Sequence, residues 1–258
     1  MTELGFGWIT PVLSYVMACV GGALGLRCMV RALNAAGRSR RNWLIGSATA
    51  IGTGIWTMHF IAMLGFGVTG TDVRYDVLLT LLSLVIAIVV VGIGVFAVGY
   101  SHSRTLSVLL GGLVAGLGVA AMHYVGMAAM QLSGRVGYHP VVVALSVAIA
   151  VAAATAALWA TLTIHGPISA VGASLVMGVA VSAMHYTGMA AVRVEVHAAH
   201  GAVAGATPMQ FVFPLAVVLG SYLFLTSAFV ALSPGGPQQW GELTPETEPG
   251  EATRSIRA

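Results

Sequence analysis

Three short stretches set a histidine between methionines inside apolar runs: "TMHFIAM" (57–63), "AMHYVGM" (121–127) and "AMHYTGM" (183–189). On a helix, residues four apart share a face. His59 is thereby a neighbour of Met63, His123 of Met127 and His185 of Met189. Met58, Met122 and Met184 sit about 100° round the helix from their histidines, and Phe60, Tyr124 and Tyr186 about 100° the other way. Imidazole with thioether suits copper, since thioether is a soft ligand for Cu(I) and imidazole accommodates both copper states. Zinc more often recruits thiolate or carboxylate, and calcium wants oxygen ligands. Neither carboxylate nor a second oxygen-rich side chain stands in these stretches. A polar group in a bilayer is costly and marks function by default. A single such histidine would read as packing, but three in one frame point to a metal or cofactor.

The elements that must carry these residues follow from composition. Of 258 residues, 58% are hydrophobic and only 7% charged, with mean hydropathy +0.93. Soluble domains carry about 25% charged residues, which excludes a water-soluble class. Seven apolar runs are long enough to span a bilayer: 9–31, 43–67, 77–99, 105–130, 141–163, 168–192 and 210–232. The expectation is an all-α polytopic membrane protein, with a domain over 1–232 and a disordered polar cytoplasmic tail over 233–258. The opening "MTELGFGWITP" has no early positive charge, so the first run reads as a retained helix rather than a cleaved signal. Cys19 and Cys28 are about 13.5 Å apart along a helix, too far for a disulfide.

There is no lysine, and the 11 basic residues are all arginine. Their pI near 9.1 does not imply nucleic acid, because they cluster at helix ends. With the N-terminus outside and the C-terminus cytoplasmic, eight arginines fall inside (27, 31, 38, 40, 41, 104, 254 and 257) and three outside (74, 135 and 193). The positive-inside rule selects that orientation.

The motifs begin at Met58, Met122 and Met184, a period that matches two membrane helices with their loops. Three two-helix repeats plus a seventh helix result. Each motif lies near the end of an even-numbered helix, and all three lie at one depth toward the outer face. One shared site and three separate sites both fit that placement. Gly52, Gly54, Gly116, Gly118 and Gly178 precede their motifs by one to two turns and are expected to let the motif helices approach one another. His139, His197 and His200 fall in outer loops and read as solvated. Trp56 is placed to wall the first motif.

"MHYVGM" and "MHYTGM", with the diverged "MHFIAM", resemble the signature of the MHYT family of bacterial integral membrane sensors, over nearly the whole membrane region. The resemblance implies a sensor of oxygen, carbon monoxide or nitric oxide acting through bound copper. Its metal ligands would be Met58, His59, Met63, Met122, His123, Met127, Met184, His185 and Met189, with Tyr124 and Tyr186 beside the cofactor. Phe60 departs from the pattern and brings no hydroxyl. Family members are often fused to cytoplasmic output domains. The tail of this chain is too short to hold one, so a stand-alone form signalling through a separate partner is expected. Two other readings stay open. Histidines on different helices can clamp a haem, and a copper-handling accessory protein or metal transporter would use similar ligands. Transport ranks lower because no Asp, Glu or Arg relay crosses the helices. No nucleophile–base pair or acid pair suggests an enzyme.

Overall fold

The computed structural model describes residues 7–101, 103–163, 167–197 and 203–232. In hydrocarbon a chain must satisfy its backbone polar groups internally, and apolar runs of this length do so as helices. The helices are α1 (Ile9–Leu33), α2 (Gly37–Leu64), α3 (Val77–Tyr100), α4 (Arg104–Ala128), α5 (Pro140–Thr163), α6 (Pro167–Ala190) and α7 (Phe213–Leu232). A π-helical turn, Pro208–Val212, leads into α7. All seven are long and apolar enough to cross a membrane, and the protein is a multi-pass membrane protein. Cys19 and Cys28 are free thiols. The tail over 233–258 lies outside the described residues, as does His200.

Three helix boundaries differ from expectation for physical reasons. The second helix starts at Gly37 rather than 43, so Arg38, Arg40 and Arg41 are helical. Arginine is a good helix former, and an interfacial charge does not break a helix. The fourth and sixth helices stop at Ala128 and Ala190, short of 130 and 192, because the next residues pair as strands. Strand β1 (Arg74–Tyr75) pairs antiparallel with β2 (Met130–Gln131), and β3 (Gly134–Tyr138) with β4 (Val192–Val196). These small sheets stitch together the segments that follow α2, α4 and α6 at the motif end. Backbone bonds between Tyr75 and Ala206 in both directions, at 2.9 and 3.0 Å, add the segment before α7. Asp76 caps α3 by accepting from the Leu79 amide at 2.8 Å, which satisfies one orphan donor and sets a negative charge at a helix N-terminus.

Helices α1 to α6 pack in a closed ring. α1 touches α2 and α6, α3 touches α2 and α4, and α5 touches α4 and α6, while α7 leans on α1 and α2 from outside. α2 also meets α4 and α6 across the middle. α1, α3 and α5 meet one another across it as well, and α2 and α4 are the most buried of the six. The most apolar window of α2 is 83% buried, against 33% for α3 and 17% for α5.

The glycines before the motifs do not do what the sequence suggested. They seat the odd-numbered neighbours. A Cβ on Gly52 would stand 2.8 Å from the Ile88 Cα of α3, and one on Gly54 2.7 Å from the Gly21 Cα of α1. Gly116 is pressed against Val151 of α5, Gly118 against Val90 of α3, and Gly178 against Cys19 and Tyr15 of α1. Lipid tails are as apolar as leucine, so helices associate in a bilayer by close van der Waals packing, and small residues permit it.

Candidate metal centre

The ring geometry brings the inner faces of α2, α4 and α6 together at the motif end. His59, His123 and His185 meet there, each at most 1% exposed. Their Nδ1 atoms form a triangle: His59 to His185 is 3.0 Å, His59 to His123 3.2 Å and His123 to His185 3.4 Å. The rings stand nearly perpendicular to one another, with centroids 4.9 to 5.2 Å apart. The sequence left open whether the three motifs share a site; the tertiary structure makes them one cluster, and the three histidines could hold a metal ion.

The triangle can be tested for fit. Its centre lies about 1.9 Å from each nitrogen, close to the ~2.0–2.1 Å of a metal–imidazole bond. One ion could therefore be held by all three. A mixed set of tautomers joins the rings by Nδ1–H···Nδ1 hydrogen bonds, and the two uniform sets do not. If all the Nδ1 atoms carry hydrogens, those hydrogens crowd one point. If none does, three lone pairs face one another in a dry site. A cation at the centre relieves the second arrangement, because the three lone pairs of the neutral imidazoles then become its ligands.

The far edges of the rings show a feature the sequence reading missed. A Cβ on Gly126 would lie 2.7 Å from the His59 Nε2 atom, and a Cβ on Gly188 would collide with the His123 Nε2 atom. The glycine in one motif is thus the seat of the imidazole from the preceding repeat. Its signal was available in the fixed offset of three residues after the histidine in two of the three copies, where the first copy has Ala62. The Nε2 atoms of His59 and His123 have no protein hydrogen-bond partner among the described residues. Packing against the glycine seats at Nε2, together with the contacts among the Nδ1 atoms, positions these rings.

The methionines of the motifs are buried. Met58, Met63, Met122, Met127 and Met184 are at most 1% exposed, and Met189 is partly buried. The aromatic positions line the cluster with ring edges: Phe60 stands 4.7 Å from His59, Tyr124 4.8 Å from His123 and Tyr186 5.0 Å from His185. The Tyr124 hydroxyl is directed to Ser146 of α5, at 2.6 Å. Ser146 in turn donates to the Val143 carbonyl. Tyr186 is 40% exposed. Trp56 does wall the first motif. Its ring lies 4.4 Å from Phe60, and its indole N–H donates to the Ser83 hydroxyl at 2.9 Å. Tyr75, from β1, packs its ring edge-on to Phe60 at 5.9 Å. Burial pushes its phenol above the usual tyrosine range, so it stays neutral. His139 is partly buried and His197 exposed. Neither is in the cluster.

A multi-pass helical membrane protein with one buried histidine triad, built from three repeated motifs, is the class that fold and site define. Residues 52–112 and 116–174 match the MHYT family, described as a bacterial signalling protein N-terminal repeat. The chain belongs to this family. It is 39% identical over 191 residues to the bifunctional diguanylate cyclase/cyclic di-GMP phosphodiesterase MucR of Pseudomonas aeruginosa, covering 72% of this chain and 28% of that protein. It is 40% identical over 192 residues to the cyclic di-GMP phosphodiesterase NbdA of the same organism, covering 72% and 24%. The signaling protein YkoW of Bacillus subtilis is 31% identical over 194 residues, covering 69% and 23%. The chain thus spans roughly a quarter of the length of these relatives. No solved structure matches it.

Proposed function

We propose that this protein is a membrane sensor whose histidine triad holds one copper ion, and that a diatomic gas, oxygen, carbon monoxide or nitric oxide, acts on that centre. The observation that carries the reading is the convergence of three Nδ1 atoms within 3.4 Å in a dry site. His59, His123 and His185 hold the ion. The other donors of the motifs are soft: Met58, Met122 and Met184 precede the histidines in sequence, and Met63, Met127 and Met189 follow them by one helical turn. That set favours copper over zinc or a hard cation. Bound copper would supply redox chemistry and affinity for small gases. Tyr124 and Tyr186 serve as ring walls beside the ion. A bare ion suits the triangle better than haem, because nitrogens this close leave no slot for a planar macrocycle between them.

The signal leaves through a partner. The relatives named as cyclic di-GMP enzymes are several times longer than the stretch they share with this chain. An output of that kind, supplied by a separate signalling protein, fits the reading. Metal content and visible absorption, measured on detergent-purified protein and on the His123→Ala/His185→Ala variant, test the proposal. The expected result is about one copper per chain in the wild type and none in the variant. An intense Soret band would transfer the case to haem. Protein from metal-replete cells with neither metal nor chromophore would refute both.

A further inference from the structure

Directly beneath the triad, on the side away from the β-sheets, α2, α4 and α6 do not quite close. They leave a cavity of about 40 Å³ that α3 and α5 complete. Ile55 lies one helical turn before His59, Val119 one turn before His123 and Val181 one turn before His185, and all three line it. Met184, adjacent to His185, forms part of its roof. Every lining side chain is Ile, Val, Ala, Leu or Met. Water needs two to four polar partners to occupy a cavity, and this lining offers none, so the cavity is dry. Its volume is close to that of one very small molecule, and far below the ~150 Å³ of an apolar cavity that takes up benzene.

The wall on the lipid side is thin. Ala153 and Ala154 of α5 close the cavity there and are themselves only partly buried. The membrane window of α5 is 17% buried. An apolar gas is driven out of water into hydrocarbon by the same effect that buries apolar side chains. It would reach this wall already concentrated from the bilayer, and methyl side chains are the smallest barrier an L-residue can offer.

We infer that this cavity is a docking chamber for a single small apolar gas molecule, which enters from the lipid past Ala153 and Ala154 and waits about one turn below the histidines. The inference deepens the sensor reading by locating the gas before it meets the metal. Occupancy of the chamber does not itself require the metal.

The test uses xenon as an inert small apolar probe and methyl-labelled methionine as the reporter, on the full chain purified and kept reduced. Met184 and Met177 line the chamber. Met58 and Met122 hold the positions equivalent to Met184 in the other repeats, are just as buried, and do not line it. Under xenon pressure the methyl signals of Met184 and Met177 should shift several-fold more than those of Met58 and Met122. Ala154→Leu, which fills the chamber, should bring the Met184 and Met177 shifts down to the level of the other two. Ala153→Leu provides a second filling variant should the first fold poorly. In His123→Ala/His185→Ala the xenon shifts should persist. Equal shifts at all four methionines in the wild type would overturn the chamber, as would xenon shifts that survive both filling variants or vanish with the histidines. A protein that binds no copper yet shows the selective xenon shifts would lose the sensor reading and keep the chamber.

Discussion

The even- and odd-numbered helices are built from nearly the same residues, yet they do different work. α3 is a run of Leu, Val and Ile that turns large side chains outward; Leu78 is 76% exposed and Val89 53%. α2 is less apolar and far more buried. Both lie in the same solvent. The difference is the company each keeps. An outward side chain meets lipid, which accepts any apolar shape. An inward side chain meets other helices, which accept only what fits. Polar groups that face inward find partners there, as Trp56 does with Ser83 of α3 and Tyr124 with Ser146 of α5, or could be compensated by an ion. The comparison teaches that burial as well as hydropathy distinguishes α2, which carries chemistry, from α3, which encloses it.

The comparison is sharpest at the histidines. His185→Ala removes one corner of the triangle and should abolish stoichiometric metal binding, read by metal analysis after dialysis; retention of a full equivalent would break the single-site account. Gly188→Ala and Gly126→Ala each add only a methyl, but place it against an imidazole edge. Displacing ligands through such a contact should weaken metal affinity by about 10- to 100-fold, the range seen when groups supporting a ligand are removed. A competition titration with a chelator reads this, and unchanged affinity would show that the glycine seats are incidental.

Further from the site the expected effects shrink. Gly116→Leu pushes a side chain into the α5 backbone at Val151 and should destabilise the fold by about 1–3 kcal/mol, measured by unfolding in detergent. Tyr124→Phe removes the bond to Ser146 and should cost about 0.6 kcal/mol, the average for interhelical hydrogen bonds in a membrane. Metal affinity should stay unchanged, whereas a lost ion would make the hydroxyl a ligand. Val89→Ala on the lipid face should stay within about 0.5 kcal/mol of wild type. A larger cost there would mean that α3 has a protein partner, and the contrast between α2 and α3 would need redrawing.

Much of this was legible in the sequence because the bilayer imposes one-dimensional rules. Spans follow from run length, and the repeat follows from the spacing of Met58, Met122 and Met184. The nine Met and His positions stood out because a costly residue had been placed three times in one frame. The glycine roles were not legible. Gly52 and Gly126 look alike in a sequence, yet one seats a neighbouring helix and the other an imidazole. Which of these a glycine does depends on the rotation of its helix within the ring, a property of all six helices at once. Tyr75 and Ser146 were missed for a related reason, since each meets the site from a segment that carries no motif.

By itself the sequence determined that this is a seven-helix membrane protein with three histidine–methionine motifs at one depth, because hydropathy and period are local properties. Only the tertiary structure decided that the three histidines point at one another, that their Nδ1 atoms close a triangle of metal-binding size, and that a dry chamber lies below. Those features depend on how far apart the helices pack and how each is turned. Both are set by contacts between residues far apart in the chain, such as Gly54 on Gly21 and Gly188 on His123.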